Sequence, residues 1–78
     1  MFYTYVLKSK KDGKLYVGFT DNLTRRFIEH MNGQVESTFY RRPLELIYYE
    51  ACQSRDKAIK REKYFKTGFG RRFLNDRI

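Results

Sequence analysis

Polar and hydrophobic residues near the start of the chain follow the pattern of two short β-strands. Residues 2–7, FYTYVL, are rich in β-formers, and the polar stretch after them contains Asp12-Gly13, a hairpin turn signal. Residues 15–18, LYVG, form the return strand, so the pattern predicts an antiparallel hairpin. Side chains along a strand point to alternate faces. The first strand should therefore present Tyr3, Tyr5 and Leu7 on one face and Phe2, Thr4 and Val6 on the other.

A helix is predicted after the hairpin, between a polar cap and a glycine. Asp21 or Asn22 can accept hydrogen bonds from the first free backbone N–H groups, and Asn32-Gly33 has the residue types that end a helix. Hydrophobic residues recur at every fourth position between them, which predicts a buried stripe. The stripe consists of Leu23, Phe27 and Met31.

The second half of the chain predicts one more strand and another helix. Residues 34–43 are expected to form a loop, and residues 44–50, LELIYYE, follow Pro43 as a strand rich in β-formers. Ser54 or Asp56 can cap the second helix. Its inner face would consist of Ala58, Ile59, Glu62, Phe65 and Phe69.

Two glycines, Gly68 and Gly70, are expected to interrupt this helix before a short helical turn at residues 71–74. The resulting element order, β-β-α-β-α-α, predicts a small α+β domain in which helices flank a three-stranded antiparallel sheet. The length of 78 residues suits one domain, residues 1–78, with a marginally sufficient core.

The charge of the chain adds a candidate partner. Lysine and arginine number 17 against 9 acidic residues, a net charge of +8. Such a balance indicates a polyanionic partner, and nucleic acid is the commonest one. Ribosome-associated and membrane-surface proteins share this charge, so charge alone leaves those alternatives open.

One cysteine, Cys52, excludes an intrachain disulfide and a cysteine-rich zinc site. We expect a reducing compartment and a small core or strand-end role for Cys52. No apolar run reaches the 18 residues of a membrane span. The first residues place apolar side chains before charged ones, the wrong order for a signal peptide. We therefore expect a cytoplasmic protein that does not enter the membrane.

The sequence contains no sign of a Ser-His-Asp triad or of a phosphate-binding GxxxxGK[ST] loop. Glu62 is of more interest, because a carboxylate on an apolar helix face needs a partner. One interpretation is a salt bridge to an arginine at the edge of the core. The other is a ligand for a hard divalent cation, since Mg²⁺ is often held by one carboxylate, water and a substrate phosphate.

Four further residues could carry chemistry together, although each alone has a structural interpretation. Tyr5 and Tyr16 lie on paired strands and could be core aromatics. Arg26 and His30 lie one turn apart on the first helix, where we expect them to border the core. With Glu62, these residue types supply hydroxyl groups, a phosphate clamp, a proton carrier and a metal ligand.

Several motifs of the sequence together resemble those of a known family. YTYVL at residues 3–7, YVG at residues 16–18, and the following DNLTRRFIEH resemble the GIY-YIG nuclease domain. AIKREKYFK resembles the helix that carries the metal-binding glutamate of that family. The resemblance covers essentially the whole chain, and it is strongest to small stand-alone bacterial members similar to the catalytic domain of the excision-repair endonuclease.

The resemblance implies a set of site residues. Tyr5 and Tyr16 match the tyrosines of the two motifs, and Gly18 matches the closing glycine, where we expect the chain to turn from strand to helix. The family arginine, histidine and metal-binding glutamate are matched by Arg26, His30 and Glu62. The sequence departs from the family where Tyr3-Thr4 replaces Gly-Ile. Some homing members have a late asparagine in the site, for which Asn75 is the only candidate.

The implied reaction is phosphodiester hydrolysis in DNA with one Mg²⁺ or Mn²⁺ ion. Glu62 would hold the ion and Arg26 would neutralise the phosphate. Tyr5 would accept a proton from the attacking water or orient it, with Tyr16 or His30 assisting. No second DNA-binding domain is evident, which leaves room for a protein partner that targets the domain. The expected nucleic-acid contacts are Arg25, Arg41, Arg42, Lys66, Arg71 and Arg72.

The family resemblance implies a role in DNA repair or recombination. Two alternatives remain at this point. One is a non-catalytic module that binds DNA or RNA and keeps the fold. The other is a factor associated with RNA or the ribosome, which the positive charge fits equally well.

Overall fold

The computed structural model describes all 78 residues and contains a three-stranded antiparallel sheet of order β2-β1-β3. A 3₁₀ helix, Glu36–Arg41, precedes the last strand. The predicted α+β fold class and element order are confirmed. The main elements are β1 (Phe2–Ser9), β2 (Leu15–Thr20), α1 (Leu23–Met31), β3 (Leu44–Cys52), α2 (Arg55–Phe65) and α3 (Gly68–Asn75).

Helices cover both faces of the sheet, and the alternation along β1 decides which residue meets which layer. Tyr5 and Leu7 pack on the face that carries α1, in contact with Leu44 from β3. Val6 packs on the other face, in a cluster with Phe65 of α2 and other residues of the two C-terminal helices. The predicted alternation along β1 is confirmed, and the central strand lies between two small cores.

The predicted helix caps are also found. The Asn22 side chain accepts a hydrogen bond from the Arg25 N–H at 3.0 Å, and that of Ser54 accepts one from Lys57 at 3.2 Å. Gly33 has φ of +77° after the end of α1, a conformation that glycine adopts without a Cβ penalty. These caps fix where α1 and α2 begin and thus which residues face the sheet.

Each strand extends two residues beyond its predicted end, to Ser9, Thr20 and Cys52, because pairing with the neighbouring strand continues there. The predicted interruption between the last two helices is found at residues 66–67, but the glycines do not cause it, since Gly68 and Gly70 both lie inside α3. A Cβ at Gly70 would lie 1.9 Å from the Tyr64 carbonyl oxygen. Glycine at this position lets α3 pack tightly against the end of α2.

Two residues of the predicted apolar faces are exposed. Met31 is 38% exposed at the end of α1, and His30 takes the fully buried position beside it. Phe69 is 73% exposed, because the chain turns after Phe65 and α3 does not continue the phase of α2. The predicted loop at residues 34–43 contains the 3₁₀ helix, whose Thr38 is fully buried.

Gly18 lies within β2, directly opposite Tyr5, so its predicted role as a turn is wrong. A Cβ at this position would lie 2.3 Å from the Tyr5 hydroxyl oxygen and 2.4 Å from the ring carbon that carries it. The glycine therefore provides the space in which the Tyr5 ring lies across the neighbouring strand.

We expect Gly18→Ala to displace the Tyr5 ring and to lower the free energy of unfolding by about 1–3 kcal/mol, as overpacking typically does. Gly68→Ala is the matched control, because nothing lies within 4 Å of the added Cβ. Urea unfolding of both variants measures the effect. Equal stability of the two variants would contradict the close packing of Tyr5 on Gly18.

Candidate active site

Three rings meet on the face of the sheet that carries α1. Tyr5 comes from the central strand, Tyr16 from β2 and His30 from α1. The ring centre of His30 lies 5.6 Å from that of Tyr5 and 5.2 Å from that of Tyr16, and both contacts are edge-on. Tyr5 is 2% exposed and His30 is fully buried, whereas Tyr16 is partly exposed. The predicted border position of His30 is thus wrong, because the ring fills the centre of this core.

A chain of hydrogen bonds runs through His30. Its Nε2 lies 2.8 Å from the Tyr5 hydroxyl oxygen, and its Nδ1 lies 2.8 Å from Thr38 Oγ1. Thr38 Oγ1 in turn donates to the Val35 carbonyl oxygen at 3.5 Å. A carbonyl oxygen can only accept a hydrogen bond, so the Thr38 hydroxyl proton must lie in this last bond. Thr38 Oγ1 can then only accept the bond from His30. His30 then donates from Nδ1 to Thr38, and Tyr5 donates its hydroxyl proton to Nε2.

The surroundings shift the proton affinities of both groups in this chain. Burial, assisted by the positive charge of Arg26, lowers the pKa of His30 to about 4. Burial raises the pKa of Tyr5 to about 12, a shift that Arg26 opposes and the charge of Glu62 slightly increases. Both rings are consequently neutral near pH 7, in agreement with the hydrogen-bond directions.

Arg26 lies beside these rings with part of its side chain exposed. Its Nη1 donates to Glu29 Oε1 at 3.2 Å, one turn along α1. The guanidinium also lies close enough to the Tyr5 hydroxyl to lower the pKa of that group, and part of its edge remains open to solvent. Glu29 therefore lies at the edge of the ring cluster as the partner of Arg26.

Glu62 lies on α2, across the sheet from α1, and its side chain is 23% exposed. Its carboxylate Oε2 lies 3.4 Å from the Lys66 ammonium, so of the two interpretations the salt bridge is present, with a lysine in place of an arginine. The charge of Glu62 raises the pKa of Tyr5, which places the carboxylate within electrostatic range of the ring cluster. No group of three or more His, Cys, Asp or Glu side chains is arranged to hold a metal ion.

Of the residues expected to contact nucleic acid, Arg25 alone lines the same groove as Arg26. Its guanidinium pairs with Asp21 at 3.2 Å. Arg41 donates to the Leu15 carbonyl, and Arg42 stacks on the ring of Phe39. These last two side chains hold the 3₁₀ segment in place.

The C-terminal basic residues lie on the other side of the sheet. Lys66 follows α2, and Arg71 and Arg72 are exposed on α3. Asn75, the candidate late asparagine, lines a separate cavity with Leu15 at the end of the hairpin. The structure does not bring it to Tyr5 and His30.

Cys52 ends β3 as predicted for a strand-end residue, and its thiol donates to the Ser54 carbonyl at 3.1 Å. No helix is long and apolar enough to cross a bilayer.

Thr38 is the main site residue that sequence analysis missed. It lies in a segment expected to be a loop, and no motif marks its contact with His30.

The buried imidazole should make stability depend on pH. The pKa of His30 falls from its usual 6.5 to about 4 in the folded chain, so the unfolded chain binds the proton more tightly. The free energy of unfolding should therefore decrease as the pH falls from 6.5 towards 4, by a total of about 3 kcal/mol. Urea unfolding between pH 8 and pH 5 should show about 2 kcal/mol of this decrease, and no second histidine contributes.

His30→Gln is the control, because carboxylates titrate in both proteins and cancel in the comparison. Its unfolding free energy should vary less over this range than that of the natural chain. If His30→Gln does not fold, NMR titration of the natural chain decides. An imidazole that titrates near 6.5 would contradict the arrangement.

Comparison with known proteins places these features in a family. The sequence model of the GIY-YIG catalytic domain family matches residues 1–75 of this chain. The UPF0213 protein of Staphylococcus saprophyticus is 42% identical over 66 residues, which cover 83% of this chain and 79% of that protein. That of Bacillus pumilus is also 42% identical, and the match covers 83% of this chain and 66% of that protein.

A solved structure shares the fold. The solution structure of a UPF0213 protein from Bacillus halodurans aligns with a TM-score of 0.60 and 30% sequence identity. The alignment covers 97% of this chain and 84% of the other. The match of the family model over nearly the whole length, together with these relatives, shows that the chain belongs to the GIY-YIG catalytic domain family.

Proposed function

We propose that this protein is a metal-dependent endonuclease that hydrolyses phosphodiester bonds in DNA, in repair or recombination in the cytoplasm. The proposal is carried by the cluster of Tyr5, Tyr16 and His30 beside Arg26 in a chain that matches the GIY-YIG catalytic domain. Acid–base groups and an arginine for the phosphate are thereby combined at one place. The net charge of +8 favours the approach of a polyanionic substrate.

Glu62 is the proposed ligand for one Mg²⁺ or Mn²⁺ ion. Its side chain is partly exposed, and its partner Lys66 is 56% exposed, so the ammonium can leave the carboxylate at little cost. A single carboxylate completed by water and a substrate phosphate suits these ions. When bound, the ion supplies positive charge to the phosphate and the leaving oxygen.

Arg26 is the proposed phosphate contact. Glu29 holds one side of the guanidinium at 3.2 Å and leaves other N–H groups available. A guanidinium can donate two parallel hydrogen bonds to a phosphate, with orientation as well as charge. Arg26 would therefore bind the scissile phosphate and stabilise the negative charge that develops on its oxygens.

Tyr5 and His30 are proposed to take up the proton of the attacking water. As the water oxygen bonds to phosphorus, the bond between phosphorus and the leaving sugar oxygen would break, and that oxygen would take a proton from solvent water. The proton of the attacking water would pass to the Tyr5 oxygen, and the Tyr5 hydroxyl proton would pass to His30 Nε2. Arg26 favours the transfer from Tyr5 to His30 by lowering the pKa of Tyr5. The negative charge of Glu62 raises this pKa, and a metal ion bound to Glu62 would neutralise that charge. Tyr16, which is more exposed, would orient the water or contact the phosphate.

A binding module without catalysis is the second candidate. The observation that favours it is the burial of Tyr5, whose hydroxyl is engaged by His30 and has a pKa of about 12. In this case the chain would bind DNA or RNA and leave it intact. A protein partner that directs the domain to its target fits either function.

Removal of single hydroxyl groups tests the roles of the tyrosines. We expect Tyr5→Phe to reduce the cleavage rate of labelled DNA with Mg²⁺ by about 10²–10⁴, the usual contribution of a positioned acid–base group. Tyr16→Phe should have a smaller effect, because His30 is bonded to Tyr5. Tyr40→Phe is the control, since that ring is 80% exposed outside the cluster.

Thermal melting separates these effects from instability, because loss of one buried hydrogen bond costs only about 1 kcal/mol. A Tyr5→Phe, Tyr16→Phe double variant that cleaves at the natural rate would overturn the proposed proton path. The assignment as a nuclease would then rest on Arg26 and Glu62.

A second test removes the proposed metal ligand. Glu62→Gln keeps the shape of the side chain and breaks only an ion pair whose lysine is 56% exposed, so the variant should fold with nearly natural stability. We expect metal-dependent cleavage to be lost. Glu45→Gln is the matched control, since Glu45 forms a 3.8 Å pair with Lys10 in which both side chains are more than half exposed.

Undiminished cleavage by Glu62→Gln would exclude Glu62 as the ligand. If the natural chain binds DNA and cleaves neither DNA nor RNA with either ion, the binding module is correct instead.

A further inference from the structure

A groove of about 490 Å³ begins at Arg26 and continues to the start of α2. Its walls carry two more arginines, Arg25 of α1 and Arg55, the first residue of α2. The end of β2 forms the floor between them, with the ring of Phe19. The groove thus joins the proposed phosphate contact to a basic residue of another helix.

The charges in this groove are not balanced. Arg25 pairs with Asp21 at 3.2 Å and Arg26 pairs with Glu29 at 3.2 Å. Arg55 has no carboxylate within salt-bridge distance and donates no hydrogen bond to the protein. Its guanidinium lies over the ring of Phe19, 5.5 Å from the ring centre. Arg55 is therefore a positioned cation without an anion.

We propose that this groove is a binding site for the phosphate of the nucleotide next to the scissile one, with Arg55 as its contact. The inference rests on the proposed function, in which Arg26 holds the scissile phosphate. The backbone of one DNA strand carries a phosphate at every nucleotide. A strand that is bound at Arg26 and follows the groove would therefore bring its next phosphate towards Arg55.

A phosphate suits the groove better than a base. The Arg55 guanidinium lies over a face of Phe19, 5.5 Å from the ring centre, where it would obstruct a stacking base. The stacked guanidinium keeps its N–H groups free at its edge, where a phosphate can accept two of them. Contact with a phosphate carries no sequence information, so Arg55 should fix the register of the strand whatever its sequence.

The first test measures DNA binding without cleavage. Fluorescence anisotropy of a labelled oligonucleotide in EDTA, over a series of salt concentrations, gives the affinity and its salt dependence. For Arg55→Gln we expect several-fold weaker binding and a slope of log K against log salt that is smaller by about 0.7–0.9, the value of one phosphate. Thermal melting should change little, because Arg55 is exposed and unpaired.

Arg77→Gln is the matched control. Arg77 also stacks on a ring, with its guanidinium 3.5 Å from the centre of Phe73, but it does not line the groove. The two variants have the same net charge, so a non-specific effect of charge would be equal in both. A slope for Arg55→Gln equal to that of Arg77→Gln would overturn the proposal.

The second test removes the charge of single phosphates from the DNA. Neutral methylphosphonates at the positions flanking the scissile bond should weaken binding by the natural chain at one of these positions. At that position Arg55→Gln should be insensitive to the substitution, because the contact is already lost. If Arg55→Gln loses as much affinity as the natural chain at every position, Arg55 does not contact a flanking phosphate.

These results separate the groove from the catalytic proposal. If the natural chain binds DNA with an Arg55-dependent slope but never cleaves it, the groove stands and the nuclease assignment fails. If Tyr5→Phe abolishes cleavage while Arg55→Gln binds as Arg77→Gln does, the nuclease assignment stands and the groove fails.

Discussion

The packing of Tyr5 across Gly18 is the constraint on which the site depends. The central strand supplies the ring, the edge strand supplies a residue without a side chain, and the hydroxyl then reaches His30 at 2.8 Å. A larger residue at position 18 would occupy the place of the hydroxyl. The position of His30 on α1 follows in turn, because its ring must fill the space between the two tyrosines.

Because β1 is the central strand, its side chains contribute to two cores, one on each face of the sheet. The two cores differ in composition and in function. Val6 and Phe65 form part of an apolar layer with α2 and α3, which contributes stability through burial. The layer under α1 contains polar groups instead, and each buried polar side-chain atom there has a hydrogen-bond partner. A small domain can thus bury acid–base groups on one side of a sheet because the other side supplies an ordinary hydrophobic core.

Much of the fold could be predicted from local signals. The alternation along β1, the Asp12-Gly13 turn and the caps Asn22 and Ser54 each act through neighbouring residues, so the sequence alone reveals them. The position of Gly70 inside α3 could not be predicted, because the need for glycine comes from tertiary packing. A Cβ at this residue would lie 1.9 Å from an atom of the neighbouring helix α2.

The grouping of Tyr5 with His30 was indicated by the family resemblance. Its third member, Thr38, depends on tertiary packing of a segment without periodicity. The pairing of Glu62 with Lys66 in place of an arginine has the same origin, since Arg61 is engaged by Glu50 at 2.9 Å. Which charged side chains form an ion pair depends on the tertiary structure. Their spacing along a helix shows only which pairs are possible.

The hydrogen-bond chain through His30 has a further consequence for the study of this protein. Its imidazole N–H points to Thr38 in a region without solvent access, so that proton can exchange with water only when the structure opens. Such a proton gives a separate low-field signal in a proton NMR spectrum. The single histidine of the chain thus provides a spectroscopic marker of an assembled site in the absence of substrate or metal.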